Sequence, residues 1–390
     1  MGIPAVIFEF AAPARIIFGA GKIADAGALA ASLGSRALVV ESGSGRAERL
    51  FALLAERGVT TSSFIVTGEP TTSLVERGAA HARAERCDIV IAFGGGSVID
   101  AAKAIAALIT NRAPLRDYLE VVGKGQPITE RPAPFIAIPT TAGTGAEVTR
   151  NAVLMVEEEQ VKVSLRSALM LPTVALVDPE LTYTVPPNVT ASSGLDALTQ
   201  CIEPFVSPQA TPLTDGIARE GIRRAASALR RAFHDGDDLG ARADMCITSL
   251  CGGLSLANAK LGAVHGFAAP LGGMFPAPHG AVCARLLPHV TAMNVRALRA
   301  RAPHSPALER YEEVARLLTR TPFARAEDGA AWLRALVDEL GIAPLSAYGV
   351  HAEDVARVVA QARKASSMAG NPVVLTDGEL SEVLSAAISD

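Results

Sequence analysis

A small set of side chains in the C-terminal half could share one chemistry. In SSGLDALTQCIEPF, Asp196 and Gln200 are four residues apart, a spacing that puts both on one face of a helix. Further on, LGAVHGFAAPLGGMFPAPHGAVCARLLPHV carries His265 and His279, with glycines and prolines between them that let two segments converge. A carboxylate and imidazoles brought together suit a divalent cation such as iron or zinc, and spacing alone does not select the metal. Each histidine taken singly is more often a hydrogen-bonded core or cap residue. His81, His234, His289, His304 and His351 have no comparable companions and read as structural. Cys283 lies four residues after His279 and shares its helical face; a buried thiol among apolar neighbours is the ordinary state of such a residue, and it is not read as a nucleophile.

A different chemistry is offered by DIVIAFGGGSVIDAAKAIAAL, where Gly94, Gly95 and Gly96 stand between an apolar strand and a helix starting near Ser97. Glycines there let the backbone approach a bulky anion, and free N–H groups at the positive end of a helix dipole attract it. A pyrophosphate fits, although a tight turn without a ligand uses the same residues and GGGS is not the GxGxxG fingerprint. A second loop, PTTAGTGAEVT, also follows a strand. Thr140, Thr141 and Thr144 offer hydroxyls there, and Gly143 and Gly145 offer backbone, at the sheet edge where open α/β sheets bind ligands. Glu41 is placed to accept hydrogen bonds from an adenosine ribose, which favours NAD; Ser42, Ser44 and Arg46 beside it suit the extra phosphate of NADP, so both stay open. Lys162, a lone cation in VKVSL, is either turned to the cleft or a solvated strand residue.

These groups need elements to position them. Short apolar runs predict strands over 36–40, 62–66, 88–93, 135–139 and 173–177, with amphipathic helices over 48–58 and 73–87 and a stop at Gly58. Strands this apolar are covered on both faces, so the economical arrangement is a doubly wound parallel sheet. The exception is 151–167, where NAVLMV and VKVSL flank the polar EEEQ, a hairpin pattern. After Val185-Pro186-Pro187 strand signals fade and alanine- and leucine-rich helices follow, including 220–233, 330–340 and 379–388. Thr376 and Glu379 make a capping-box pattern before the last of these. The expected organisation is a Rossmann-like α/β domain over 1–186 and an all-helical domain over 187–390.

Hydrophobic residues at 49% and charged residues at 19% describe a globule with an extensive core, not a disordered chain. With 36 basic and 40 acidic side chains the net charge of -4 leaves no footprint for nucleic acid or an anionic membrane, so small molecules are the expected partners. Five cysteines without a CxxC pair argue against a disulfide scaffold and a zinc ribbon. The first residues lack the basic start and apolar core of a signal peptide, and no run reaches the ~20 apolar residues of a spanning helix. A soluble, cytoplasmic protein is the expectation.

Taken in order, GGGSVIDAAKAIA, PTTAGTGAEVT, DPELT, GLDALTQCIEPFVS and VHGFAAPLGGMFPAPHGAVCARLLPHV resemble the iron-containing (group III) alcohol dehydrogenase family over nearly the whole chain. The resemblance implies an N-terminal α/β domain that binds a nicotinamide dinucleotide, a helical domain that holds a divalent metal, and reaction in the cleft between them. This is the architecture shared with dehydroquinate synthase. Gly95, Gly96 and Ser97 would contact the pyrophosphate. Asp100, Thr140, Thr141 and Thr144 would line the cofactor site, with Lys162 and Leu181 near the ribose and nicotinamide end. Asp196, His265 and His279 match the family's metal ligands, while Gln200 stands where the second ligand is usually histidine. An amide oxygen is a weaker, harder ligand than imidazole. Ala269 is a second departure, where many members carry a histidine thought to pass the proton. A homo-oligomer, a dimer or larger, is also implied.

The activity this implies is NAD(P)-dependent interconversion of an alcohol and an aldehyde or ketone, assisted by Fe2+ or Zn2+. Asn151, Val153, Phe267 and Phe275 are expected to wall the pocket. One rival is a maleylacetate reductase-like enzyme that works without metal, which Gln200 makes thinkable; another is a catalytically silent nucleotide-binding protein whose metal site has decayed. A dehydroquinate-synthase-like lyase would need a basic cluster for a phosphorylated substrate, and the sequence offers none.

Overall fold

The computed structural model describes residues 7–159 and 161–389. Eight strands occur among them: β1 (Arg15–Phe18), β2 (Arg36–Glu41), β3 (Thr60–Ile65), β4 (Ile89–Gly94), β5 (Phe135–Pro139), β6 (Asn151–Val156), β7 (Val161–Arg166) and β8 (Val174–Val177). Six pair in parallel in the order β1-β8-β5-β4-β2-β3, and β6 and β7 form the expected antiparallel hairpin. β4, β5 and β8 are buried along their whole length, which is why their residues form apolar runs instead of alternating with polar ones. Leu38, Val40, Val90 and Ala92 pack on one face against the helices Thr72–Ala84 and Gly96–Thr110. Ala37, Val39, Ile89 and Ile91 pack on the other against Ala26–Ala31 and Glu48–Ala55. The sheet is therefore doubly wound. The half-exposed edge strand β1 is an addition that its four residues did not announce.

Strand order positions the site. The chain runs outward from β2 to β3, then returns across to β4 and continues to β5, so the order reverses between β2 and β4 and a crevice opens at their carboxyl ends. Glu41 pairs with Phe93 and Gly94 with Pro139. The end of β2, the glycine turn and the threonine loop therefore share one edge.

The second half is helical from Pro187–Val206 onward. That helix packs with Pro212–His234 and Leu239–Asn258, and the segments Ala263–Met274 and His279–Arg301 complete the site-bearing group. Prolines stand inside three of them, at Pro204, Pro270 and Pro288. Burial in one apolar cluster holds these helices where intrinsic propensity would not. The two halves meet at a glycine seam. Gly145, at φ 60°, donates its N–H to Ser249 Oγ (3.2 Å), and a Cβ on it would stand 2.5 Å from Gly253 Cα. Among the described residues, no helix is long and apolar enough to cross a membrane.

Candidate functional site

Three helices of the second half each bring one donor to a common point. Asp196 comes from Pro187–Val206, His265 from Ala263–Met274, and His279 opens His279–Arg301. Asp196 Oδ1 lies 3.4 Å from His265 Nε2 and 3.8 Å from His279 Nε2. Cys283, one helical turn beyond His279, puts its sulfur 3.8 Å from His265 Nε2 and 3.6 Å from His279 Nε2. The four donor atoms all lie within 4.8 Å of one another. Behind them, His265 Nδ1 donates to Glu203 Oε2 (2.7 Å), which fixes the tautomer and turns the Nε2 lone pair toward the cluster. Glu203 is itself held by the N–H of Val264 (2.7 Å).

Charge at this point is unbalanced. Burial favours the neutral form of Asp196, yet His279 and His265 outweigh it and hold the carboxyl below its ordinary range. Burial likewise pulls His265 down, but the Cys283 sulfur, the nearby Asp196 carboxylate and the bond to Glu203 carry it well above the usual imidazole value. His279 is pushed up to about 9, chiefly by the Cys283 sulfur, against burial and with help from Asp196. Donors arranged this way draw positive charge, a proton or a metal cation alike. Asp196 Oδ1 and Gln200 Oε1 are moreover buried with no hydrogen-bond partner. A buried carboxylate oxygen left without a donor is costly, and a divalent cation supplies what it lacks. These residues fit one. Gln200 sits beside them, its amide nitrogen donating to Asp196 Oδ2 at 3.0 Å.

The sheet edge faces this cluster. The helix Gly96–Thr110 begins at Gly95 with no side-chain cap, so its first N–H groups remain available to an anion. A Cβ at Gly95 would meet Thr141 Oγ1 at 3.3 Å and one at Gly96 would meet Thr144 at 2.8 Å, so the glycines, Gly96 above all, let the two loops approach this closely. A Cβ at Gly143 would stand 2.7 Å from Ser193 Cβ, and one at Gly280 2.9 Å from the Ser192 carbonyl oxygen. The threonine loop therefore rests one helical turn from Asp196. Glu41, at the end of β2, accepts from the N–H of Gly43 (2.6 Å) and from Ser63 Oγ (3.4 Å). It lines a depression of about 490 Å³ with Gly43, Gly45, Phe51 and Ile65.

Comparison with known proteins gives the family. The family model for iron-containing alcohol dehydrogenase matches residues 13–179, and that for the C-terminal part of the same family matches 190–388. The chain belongs to the iron-containing alcohol dehydrogenase family. It is therefore an oxidoreductase acting on alcohols. An alcohol dehydrogenase 4 of Schizosaccharomyces pombe is 35% identical, covering 98% of this chain and 89% of that one. A 1,3-propanediol dehydrogenase of Klebsiella pneumoniae is 33% identical over 98% and 99% of the two chains. The crystal structure of a sulfoacetaldehyde reductase from Bifidobacterium kashiwanohense in complex with NAD+ superposes with a TM-score of 0.86 at 30% identity, covering 99% of this chain and 100% of that one.

Within this family member the remaining expected site residues are placed as follows. Lys162 is turned inward, its side chain 7% exposed, paired with Glu69 Oε1 (2.9 Å) and set against Gly272 of the His265 helix. Leu181 offers its carbonyl to Arg46 across the crevice. Asp100 accepts from the N–H of Val153 (3.0 Å) and lies 3.8 Å from Lys103 Nζ, so it ties the glycine-turn helix to the hairpin. Phe267 departs from its expected place: it is fully buried in the helical core and walls no pocket. Two groups escaped the sequence reading. Glu203 lies seven residues after Asp196 on the same helix face, a polar stripe that reaches to i, i+4 and i+7. Lys103, fully buried, donates to the Ala146 and Asn151 carbonyls and to Thr149 Oγ1 at 2.9, 2.7 and 3.0 Å, with buried Glu147 nearby.

Proposed function

We propose that this chain catalyses the NAD-dependent interconversion of a small alcohol and its aldehyde or ketone. The site is the crevice between the carboxyl edge of the sheet and the three metal-bearing helices. Asp196, His265 and His279 would hold a divalent cation, iron(II) or zinc. The observation that carries this reading is the convergence of Asp196 Oδ1, left without a hydrogen bond, on two imidazole Nε2 atoms beside the threonine loop. We take 1–186 as the cofactor domain and 187–390 as the metal domain, since the turn Pro179–Thr182 closes the sheet half and Pro187 opens the first long helix.

The chemistry supplied by the two groups, when bound, is positive charge that favours an alkoxide or polarises a carbonyl, and a nicotinamide that takes or gives a hydride. Backbone N–H groups at Gly95, Gly96 and Ser97 bind the pyrophosphate, and Thr140, Thr141 and Thr144 line the same pocket. Glu41 accepts from ribose hydroxyls, and its charge disfavours a 2'-phosphate. Glu203 keeps His265 in the tautomer whose Nε2 faces inward. Lys162, held by Glu69, closes the hairpin side of the crevice. Ala269, exposed one turn beyond His265, carries no proton, so proton exchange falls to solvent reaching the cleft.

The test is to strip the purified protein with a chelator and assay it with NADH against a panel of aldehydes and with maleylacetate. Turnover of aldehydes that returns only when iron(II) or zinc is restored is the expected result. Metal-independent reduction of maleylacetate overturns the reading in favour of a metal-free reductase; NADH binding with no turnover under any loading overturns it in favour of a silent nucleotide-binding protein.

A further inference from the structure

The residue expected as the fourth ligand does not present itself as one. Gln200 turns its amide nitrogen to Asp196 Oδ2 (3.0 Å) and its oxygen toward Gly252, whose Cβ, if present, would lie 3.4 Å from it. Turning the amide over would set its oxygen against the carboxylate. As placed, Gln200 grips the outer oxygen of Asp196 and leaves the inner one, Oδ1, pointing at the imidazoles. That is a positioning role, and it leaves one corner of the metal site to another donor.

Cys283 occupies that corner. A four-coordinate ion with metal–nitrogen and metal–oxygen bonds of about 2.0–2.2 Å and a metal–sulfur bond of about 2.3 Å needs N···O edges near 3.4 Å and N···S edges near 3.6 Å. The observed edges are 3.4 and 3.8 Å from Asp196 Oδ1 to the two imidazoles, and 3.8 and 3.6 Å from Cys283 Sγ to the same nitrogens. A second, independent observation points to the same place: Asp196 Oδ1, on a residue only 1% exposed, has no hydrogen-bond partner. Cys283 is fully buried while the His279 side chain is 36% exposed. The cluster therefore opens to the crevice only past His279, and the sulfur forms its floor.

We propose that Cys283 is a metal ligand, completing a Cys–His–His–Asp donor set that favours zinc over iron, with Gln200 behind it as a positioning residue. The proposal rests on the metal-dependent reading above and changes its content. A thiolate is softer than the imidazole that the family places at position 200, and tetrahedral sets of sulfur, nitrogen and oxygen suit Zn2+. On this account Gln200 and Cys283 belong together: the imidazole that the family carries at 200 is replaced by a thiol from another helix.

The test loads the chelator-stripped full-length protein with cobalt(II) as a spectroscopic probe. The expected result is one cobalt per chain with a thiolate-to-cobalt charge-transfer absorption in the near ultraviolet. Cys283→Ser should lose that band, whereas Gln200→Ala should keep it while binding cobalt about 10–100-fold more weakly, as loss of an outer hydrogen bond does. Stoichiometric cobalt without the band, or a band that survives Cys283→Ser, overturns the proposal and leaves the metal-dependent reading intact. Failure of the unmodified protein to bind cobalt or zinc at all removes both. Should Cys283→Ser fail to fold, X-ray absorption of the zinc-loaded unmodified protein decides: a zinc–sulfur distance of about 2.3 Å supports the proposal, and a shell of nitrogen and oxygen alone overturns it.

Discussion

In the α/β half, Lys103 is buried against Asp100 and Glu147, and each of its protons is donated to Ala146, Thr149 or Asn151 while Asp100 accepts from Val153. In the helical half, Asp196, Gln200, His265 and Cys283 gather at comparable depth with His279 at their open side, yet Asp196 Oδ1 and Gln200 Oε1 receive no hydrogen bond. Both clusters remove charge from water at a cost of several kcal/mol per ion. The first recovers that cost at Lys103 and Asp100, since every Lys103 proton is donated and Asp100 accepts from Val153, which joins the glycine-turn helix to the hairpin. The second does not, because its donors converge without saturating. A closed polar cluster is a strut; an open one is a receptor for something the chain does not contain.

The contrast can be broken most forcefully at Asp196. Asp196→Asn should lower kcat/KM by roughly 10³-fold, because the cation's charge stabilisation is worth several kcal/mol. The melting midpoint of the metal-free protein should shift by only a few degrees. A large fall in that midpoint with activity kept would mean that the open cluster is structural after all.

Lys103→Met should give the reverse pattern. Leaving Asp100 and Glu147 buried without their cation costs about 3–5 kcal/mol, read as a lower unfolding midpoint, while turnover per folded molecule changes much less than at Asp196. If activity collapses with stability intact, the strut is part of the reaction centre.

Stability against pH sharpens the same picture. Burial pushes Glu147 up to about 7 and Lys103 down to about 8. A carboxyl with a raised pKa contributes most below its ordinary value near 4.5 and loses that contribution as pH rises through about 7. Lys103 behaves oppositely, its burden easing as pH rises from about 8 toward its ordinary 10.5. Glu147→Gln should therefore change the unfolding free energy little at pH 5 and raise it by about 1–2 kcal/mol at pH 8. An equal effect at both values would show that burial does not raise the Glu147 carboxyl above its ordinary range.

The smallest effect is expected at Ala269. Ala269→His places an imidazole one turn beyond His265 on the exposed side. It should add a limb near pH 6.5 to the pH–rate profile while changing kcat by less than about tenfold. An unchanged profile would mean that the proton leaves by a route on which this position has no bearing.

The sheet was legible because strands covered on both faces leave apolar runs, and the hairpin because EEEQ interrupts two of them. β1 was not, since a four-residue edge strand half open to solvent has neither length nor pattern. Ala263–Met274 reads poorly as a helix, with Gly266, Pro270, Gly272 and Gly273 in it, and is held by packing that sequence periodicity does not record. Asp196, His265 and His279 were visible as residue types that converge. Glu203 leaves only a weak trace, as the i+7 member of a polar stripe that Asp196 and Gln200 begin. Cys283 was set aside because a thiol among apolar residues has an ordinary explanation; only the distances to two imidazoles distinguish it. The Lys103 cluster was invisible because Glu147 lies far along the chain and meets Lys103 through the threonine loop.

At Gly145 and Gly253 the two halves touch main chain to main chain. Neither residue has a side chain to place between the two main chains, so the span from the glycine turn to the imidazoles is set here by close backbone contact, with the apolar packing of Val148 and Val177 against Cys246 and Leu250 beside it. A methyl group here would act as a wedge, and a misplacement of about 1 Å is enough to slow a transfer step some hundredfold. The part of this enzyme least tolerant of added atoms therefore includes a pair of residues that have no side chains and touch no reactant.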